Sequence, residues 1–296
     1  MRALPKIDSH HHLWDLKAVY YPWLSDKVEP KMWGDYAAIR RNFLAEDFIR
    51  DSQPHNVVKS VHVQGNAADG LAETRWLQTV ADKHGFPHAI VAHVNLEAPD
   101  VEAMLDRHME ANNFRGVRQI LGHTQDPHRK GPSAHDLTAD AGWKRGLAAL
   151  GRRGGSFDFQ IFPAQMAAAA RVADENPNVQ FVVCHTGMPF EHTPEGVALW
   201  RAGMKGLAGR PNVAVKLSGP HMFLRNWTVE SYRPYFAETI DLYGPTRCTI
   251  ASNVPPDAAV ISYGEIYERF YQLAEPYSEA ERRAMFHDTA ARLYRL

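Results

Sequence analysis

The stretch Val57-Val58-Lys59-Ser60-Val61-His62-Val63-Gln64-Gly65, taken together with the helix-patterned segment after it, decides the fold. Its β-branched residues and closing glycine predict a strand. Leu71 to Lys83 then sets Trp76, Leu77 and Val80 on one helical face. Ala89-Ile90-Val91-Ala92-His93-Val94-Asn95-Leu96 reads as the next strand. The same order recurs downstream, with strands at Phe114–Leu121, Phe157–Phe162, Val179–His185, Asn212–Gly219 and Cys248–Ser252. Helical spacing fills the gaps, at about Asp100–Ala111, Trp143–Gly151, Gln165–Asn176, Glu195–Ala208 and Val229–Tyr243. Tyr263–Ala274 and Glu279–Tyr294 add two closing helices, and Ile39–Arg50 an early one. Buried strands alternating with helices imply a parallel sheet. A strand count near eight over this length favours an α/β fold of the (β/α)8 TIM-barrel type. No glycine-rich nucleotide fingerprint follows any strand, which argues against an open dinucleotide-binding sheet. No linker breaks the pattern, so residues 1–296 read as one domain.

The first strand is Ile7-Asp8-Ser9-His10-His11-His12-Leu13-Trp14-Asp15. Apolar Ile7 and Leu13 bracket the histidines, as in a folded strand and unlike a flexible His-rich start. Alternate residues of a strand share a side, so His10 and His12 aim into one cavity and His11 faces away. Two imidazoles so placed are half of a typical divalent-metal site. After them, Tyr20-Tyr21-Pro22-Trp23-Leu24 and the residues to Trp33 form an irregular aromatic loop, suited to cover a pocket or simply to pack on the surface.

The formal net charge of −1 gives no electrostatic case for nucleic acid or an anionic membrane. No apolar run approaches the roughly 20 residues that span a bilayer. A first strand starting near Lys6 leaves no room for a signal peptide. Cys184 and Cys248 sit in apolar runs and read as buried free thiols of a reducing compartment. The expectation is a cytoplasmic protein acting on a small molecule, either alone or as a homo-oligomer.

Barrel chemistry gathers where strands end. The strand ends here offer His10, His12, Gln64, Asn95, Arg118, Gln160, His185, Lys216 with Ser218, and Asn253. His10, His12 and His185 supply three nitrogen ligands for a divalent metal, zinc by ligand type, which would activate a water. The competing role for His185 is a core histidine satisfied by a carbonyl. Arg118 suits a substrate carboxylate, or else a salt bridge in the barrel mouth. Lys216 suits a developing oxyanion, or else a structural ion pair. Gln64, Gln160 and Trp14 are candidate substrate contacts. His62 and His93, inside strands, read as core or supporting histidines.

Five segments in order carry a resemblance: Ile7–Asp15, Tyr21-Pro22-Trp23-Leu24, Gly116-Val117-Arg118, Val183-Cys184-His185-Thr186-Gly187-Met188-Pro189 and Val215-Lys216-Leu217-Ser218-Gly219. Over nearly its whole length the chain resembles the lactonase-type branch of the amidohydrolase superfamily, which includes sugar and pyrone-dicarboxylate lactonases. The resemblance implies a (β/α)8 barrel, hydrolysis of a lactone or related ester, and a site lined by His10, His12 and His185, with or without metal. One departure lands on the chemistry. That superfamily usually ends its eighth strand with an Asp; here the matching stretch is Ala251-Ser252-Asn253-Val254-Pro255-Pro256-Asp257. The amide of Asn253 cannot serve as a base. Asp257 could supply the carboxylate instead, or His185 could be the base with Asn253 holding the water. A carboxylated or sugar-acid lactone is the expected substrate, with Arg129 and Lys130 as further basic residues. Decarboxylation of an aromatic acid in the same barrel and a binding protein without catalysis are the alternatives.

Overall fold

The computed structural model describes residues 1–28, 31–124 and 131–296. Arg129 and Lys130 lie outside the described residues. Eight parallel strands, β1 (Lys6–His11), β2 (Val57–Val63), β3 (Ala89–Ala92), β4 (Phe114–Val117), β5 (Ser156–Phe159), β6 (Gln180–Val183), β7 (Val213–Leu217) and β8 (Cys248–Ile250), pair in chain order. Each is followed by helical structure, giving the (β/α)8 barrel expected from the alternation. No described helix is long and apolar enough to cross a membrane.

The seam between β8 and β1 is held by side chains and by the segments that leave the strands. Asn253 N–H donates to the His10 carbonyl and His12 N–H to the Val254 carbonyl, both at 2.8 Å. Buried Asp8 reinforces the join by accepting from Ser252 N–H (3.0 Å) and the Tyr263 hydroxyl (2.9 Å). The segment carrying Asn253 is thus registered directly on the one carrying His10 and His12.

Inside the barrel, Ile7, Val61, Val63, Ala89, Val91, Val182 and Ala214 form one apolar cluster with Ala290, Leu293 and Tyr294 of the last helix. The larger core lies between the sheet and the helices α1 (Pro22–Ser25), α2 (Ala45–Ser52), α3 (Gly70–His84), α4 (Val101–Met109), α5 (Ala141–Arg152), α6 (Met166–Glu175), α7 (Pro194–Ala208), α8 (Val229–Tyr243) and α9 (Tyr263–Ala274). Helix α3 shows why these boundaries fall where they do. Asp69 caps Leu71 and Ala72 N–H at its start, and Gly85 ends it at φ +75°.

Two helices differ from expectation. The early one begins at Ala45 rather than Ile39, because Phe43 pairs antiparallel with Trp14 through two backbone hydrogen bonds (2.9 and 3.0 Å). Asp47 then accepts from Leu44 N–H and starts the helix. The closing helix is interrupted by a π-helical segment, Ala284–Asp288, between Glu279–Arg283 and Thr289–Tyr294.

Candidate active site

Three imidazoles meet where the strands end. The His10 ring lies 5.1 Å from that of His12 and 4.7 Å from that of His185, centroid to centroid. His11 faces the helix layer, stacked on Phe48 at 4.0 Å with Nε2 against Ser60 Oγ at 2.9 Å.

The ring nitrogens can be assigned by asking which partner each has. His12 Nδ1 sits 2.6 Å from the Val63 carbonyl, which only accepts, so Nδ1 carries the proton and Nε2 keeps a lone pair. His185 Nδ1 pairs with Ser218 Oγ at 3.1 Å. His10 Nε2 lies 3.4 Å from an Arg118 nitrogen that only donates, so its proton sits on Nδ1, which is buried without a protein partner. Burial drives the basicity of His10 and His185 well below the ordinary imidazole range, and the Lys216 and Arg118 charges push the same way. Burial, with Arg118 beside it, does the same to His12. All three rings are neutral at neutral pH.

His185 is set by backbone geometry. The residues from His185 to Met188 all have positive φ, between 53° and 71°, a conformation costing about 1–2 kcal/mol per non-glycine residue. Gly219 turns the end of β7 at φ +59°, and a Cβ there would stand 2.4 Å from His185 Nδ1. Gly219→Ala is therefore expected to displace the His185 ring and abolish turnover, while far-UV circular dichroism stays native. Wild-type activity in this variant would show that the ring has room to move.

Arg118 follows β4 and is 3 % exposed. One terminal nitrogen donates to Gln160 Oε1 (2.9 Å) and the other to the Gln64 carbonyl (2.5 Å). Its Nε is buried without a partner, and among the described residues no carboxylate reaches ion-pair distance. A buried guanidinium without a paired carboxylate is a site for negative charge. Gln64 adds a second donor: its Oε1 accepts from Asn66 N–H at 2.6 Å, leaving Nε2 buried and unpartnered.

Other expected site residues are placed around this centre. Lys216 is fully buried against Asp158 at 2.6 Å, and Asp158 also accepts from the Tyr294 hydroxyl at 3.0 Å. Its ammonium is thus committed to a carboxylate. Trp14 is fully buried, donates to the Arg41 carbonyl (2.7 Å) and stacks on His12, so it acts on the site through that ring. Asn253, at φ +55°, donates from Nδ2 to Asp257 Oδ2 at 2.6 Å. Asp257 Oδ1 accepts from His221 N–H at 3.2 Å, and burial raises this carboxyl to about 7. With both oxygens engaged, Asp257 ties the loop after β8 to the loop after β7.

Two residues not singled out in the sequence also belong here. Glu73 of α3 is fully buried, and its Oε1 accepts from Gly65 N–H (2.8 Å) and the Tyr21 hydroxyl (3.0 Å). It fastens the aromatic loop to the end of β2. His221 is 4 % exposed and neither ring nitrogen has a protein partner. Rings run in contact from His12 through Trp14, Trp23 and Trp33 to His221, at 6.1, 5.6, 6.4 and 6.3 Å. The aromatic loop thus joins the histidine centre to the loop after β7. Two surface cavities of about 520 and 380 Å³ lie elsewhere and include none of these histidines.

The three imidazoles named for the expected metal, His10, His12 and His185, do converge, with the His10 ring centroid 4.7–5.1 Å from the other two, but their surroundings are not those of an all-histidine and carboxylate metal centre. A guanidinium occupies hydrogen-bond range of His10 Nε2, where a cation would compete with it. The end of β8 brings an amide whose NH2 is turned to Asp257, not a carboxylate.

Residues 7–296 match the family model described as amidohydrolase. An uncharacterized protein of Sinorhizobium fredii is 44% identical over 298 residues, covering 100% of both chains. An L-fucono-1,5-lactonase of Burkholderia multivorans is 27% identical over 98% of this chain and 96% of its own. A Burkholderia multivorans amidohydrolase solved with bound zinc superposes with a TM-score of 0.82 at 26% identity, over 99% of each chain.

Proposed function

The chain belongs to the amidohydrolase family, and from that premise we propose that it hydrolyses a lactone, with His185 as the base and Arg118 holding the carbonyl oxygen. The observation that carries this reading is the pairing of neutral, crowded imidazoles with a buried guanidinium that has no ion-pair partner. Ester hydrolysis needs a base to take a proton from water and a fixed positive charge where the oxyanion forms. The lactonase relative supports the choice of a cyclic ester.

Each step falls to a named group. Water is deprotonated by His185 while its oxygen bonds to the lactone carbonyl carbon. Charge moves onto the carbonyl oxygen, toward Arg118 Nε and Gln64 Nε2, both buried donors without a protein partner. The tetrahedral centre collapses, the ring carbon–oxygen bond breaks, and the leaving oxygen takes the proton from His185. The product is an open hydroxy acid, which ionises at neutral pH. Ser218 on Nδ1 keeps the His185 ring oriented through both transfers.

The test is acid release from a lactone panel near neutral pH, run beside gas evolution from aromatic acids. Saturable, enzyme-dependent acid release supports the reading. Gas release without acid release would replace it with decarboxylation, and ligand binding without either would mark a protein that only binds.

A further inference from the structure

We propose that His221 is a specificity residue of this site and reads a hydroxyl on the substrate ring. This rests on the lactone reading and deepens it by naming what the second end of the site recognises.

The loop after β7 supplies the first observation. Its His221 ring is almost completely buried, yet neither Nδ1 nor Nε2 meets a protein partner. Native proteins leave few buried polar atoms unpaired, and those they do leave call for an explanation. The backbone of this residue does have a structural task, donating to Asp257 Oδ1. The side chain has none visible beyond its edge contact with Trp33. Burial, and secondarily the charge of Arg225, lower its basicity, so the ring is neutral at working pH.

The second observation is a contrast in hydrogen-bond type. Arg118 Nε and Gln64 Nε2 only donate, and so match a carbonyl or carboxylate oxygen. A neutral imidazole offers one donor and one acceptor. Its complement is a group that is also both, which on a lactone ring is a hydroxyl. A pyrone ring bearing only carboxylates would leave the acceptor nitrogen of His221 unmatched. His221 lies two residues past Gly219, which packs against the His185 ring, and its N–H meets Asp257, the partner of the Asn253 that is bonded to the His10 carbonyl, so this second end stands at the same mouth.

The experiment measures kcat/KM for a δ-aldonolactone, for analogues lacking one hydroxyl each, and for δ-valerolactone, which lacks them all. Native protein, His221→Leu and His221→Gln are compared. Leucine removes both polar atoms without disturbing the backbone bond to Asp257, and glutamine keeps one donor and one acceptor. Native protein should prefer the full aldonolactone over one particular deoxy analogue by about ten-fold or more, the scale of a hydrogen-bonding group lost from a buried site. His221→Leu should erase that preference, raising KM for the full aldonolactone far more than for δ-valerolactone, and His221→Gln should recover part of it. Equal losses in His221→Leu on the full and deoxy substrates would overturn the assignment and leave lactone hydrolysis standing. Failure of the native chain to open any lactone would overturn the lactone reading itself, and the assignment with it.

Discussion

His185→Gln should lower kcat on a lactone substrate by about 10²- to 10⁴-fold, the usual contribution of a general base, with KM little changed. The amide can still meet Ser218 but cannot carry the proton between water and the leaving oxygen. The native pH profile should bear the same signature. The base works only when unprotonated, and burial, Arg118 and Lys216 all push the His185 pKa well below its ordinary value. The rate should therefore hold steady as pH falls through the usual imidazole range and drop only below it. This is lower than the range of about 6 to 8 that a typical imidazole or activated water would suggest. A profile that falls through that ordinary range, or a His185→Gln variant with native kcat, would remove His185 from the role of base.

Arg118→Met should lower kcat by about 10²- to 10³-fold, the cost of losing one oxyanion donor from a buried site. The loss should be the same on neutral and on carboxylated lactones, since the carbonyl oxygen is common to both. Arg118→Lys should recover little. A lysine ammonium cannot reach Gln160, the Gln64 carbonyl and the substrate oxygen in the fixed planar geometry that a guanidinium provides. The competing role, an anchor for a substrate carboxylate, predicts a different pattern: a large rise in KM confined to carboxylated lactones. Steady-state kinetics on a matched pair, one neutral and one carboxylated, separate the two.

The barrel is legible in the sequence because its signals are local. Each strand is a short β-branched run, each helix has its own apolar face, and their strict alternation leaves few topologies. The strand ends are where local reading overruns. Val179–His185 looks like one continuous strand, yet pairing stops at Val183 and His185 turns into the left-handed region. Nothing in the apolar pattern marks that turn, nor the close approach of Gly219 to the imidazole that goes with it. Similarly, helical spacing from Ile39 hides the extended segment that pairs Phe43 with Trp14, a contact made far along the chain.

Within the site, His10, His12, His185, Arg118, Gln64 and Gln160 can be nominated because polar residues at the ends of barrel strands have few other reasons to be there. Which of their atoms are free depends on partners elsewhere. Lys216 looks available until Asp158 is placed two strands away, although Asp158 between Phe157 and Phe159 is itself a visible inward-facing charge. Glu73 lies on a helix face among buried Leu71 and Leu77, where a carboxylate is out of pattern, and that anomaly is its signal. His221 sits in a loop with no periodicity, so only its burial and unpaired nitrogens reveal it.

In the mechanism proposed for this barrel, neutral imidazole and guanidinium, rather than a metal, activate water and hold the oxyanion. The most direct test follows acid release from a lactone before and after the protein is stripped of metal, with the loss verified by elemental analysis. The rate should be unchanged, because Arg118 already stands beside the nitrogen that a metal would need. A rate that collapses on stripping and returns on adding zinc would contradict the mechanism, since the histidines would then be ligands to an activating ion.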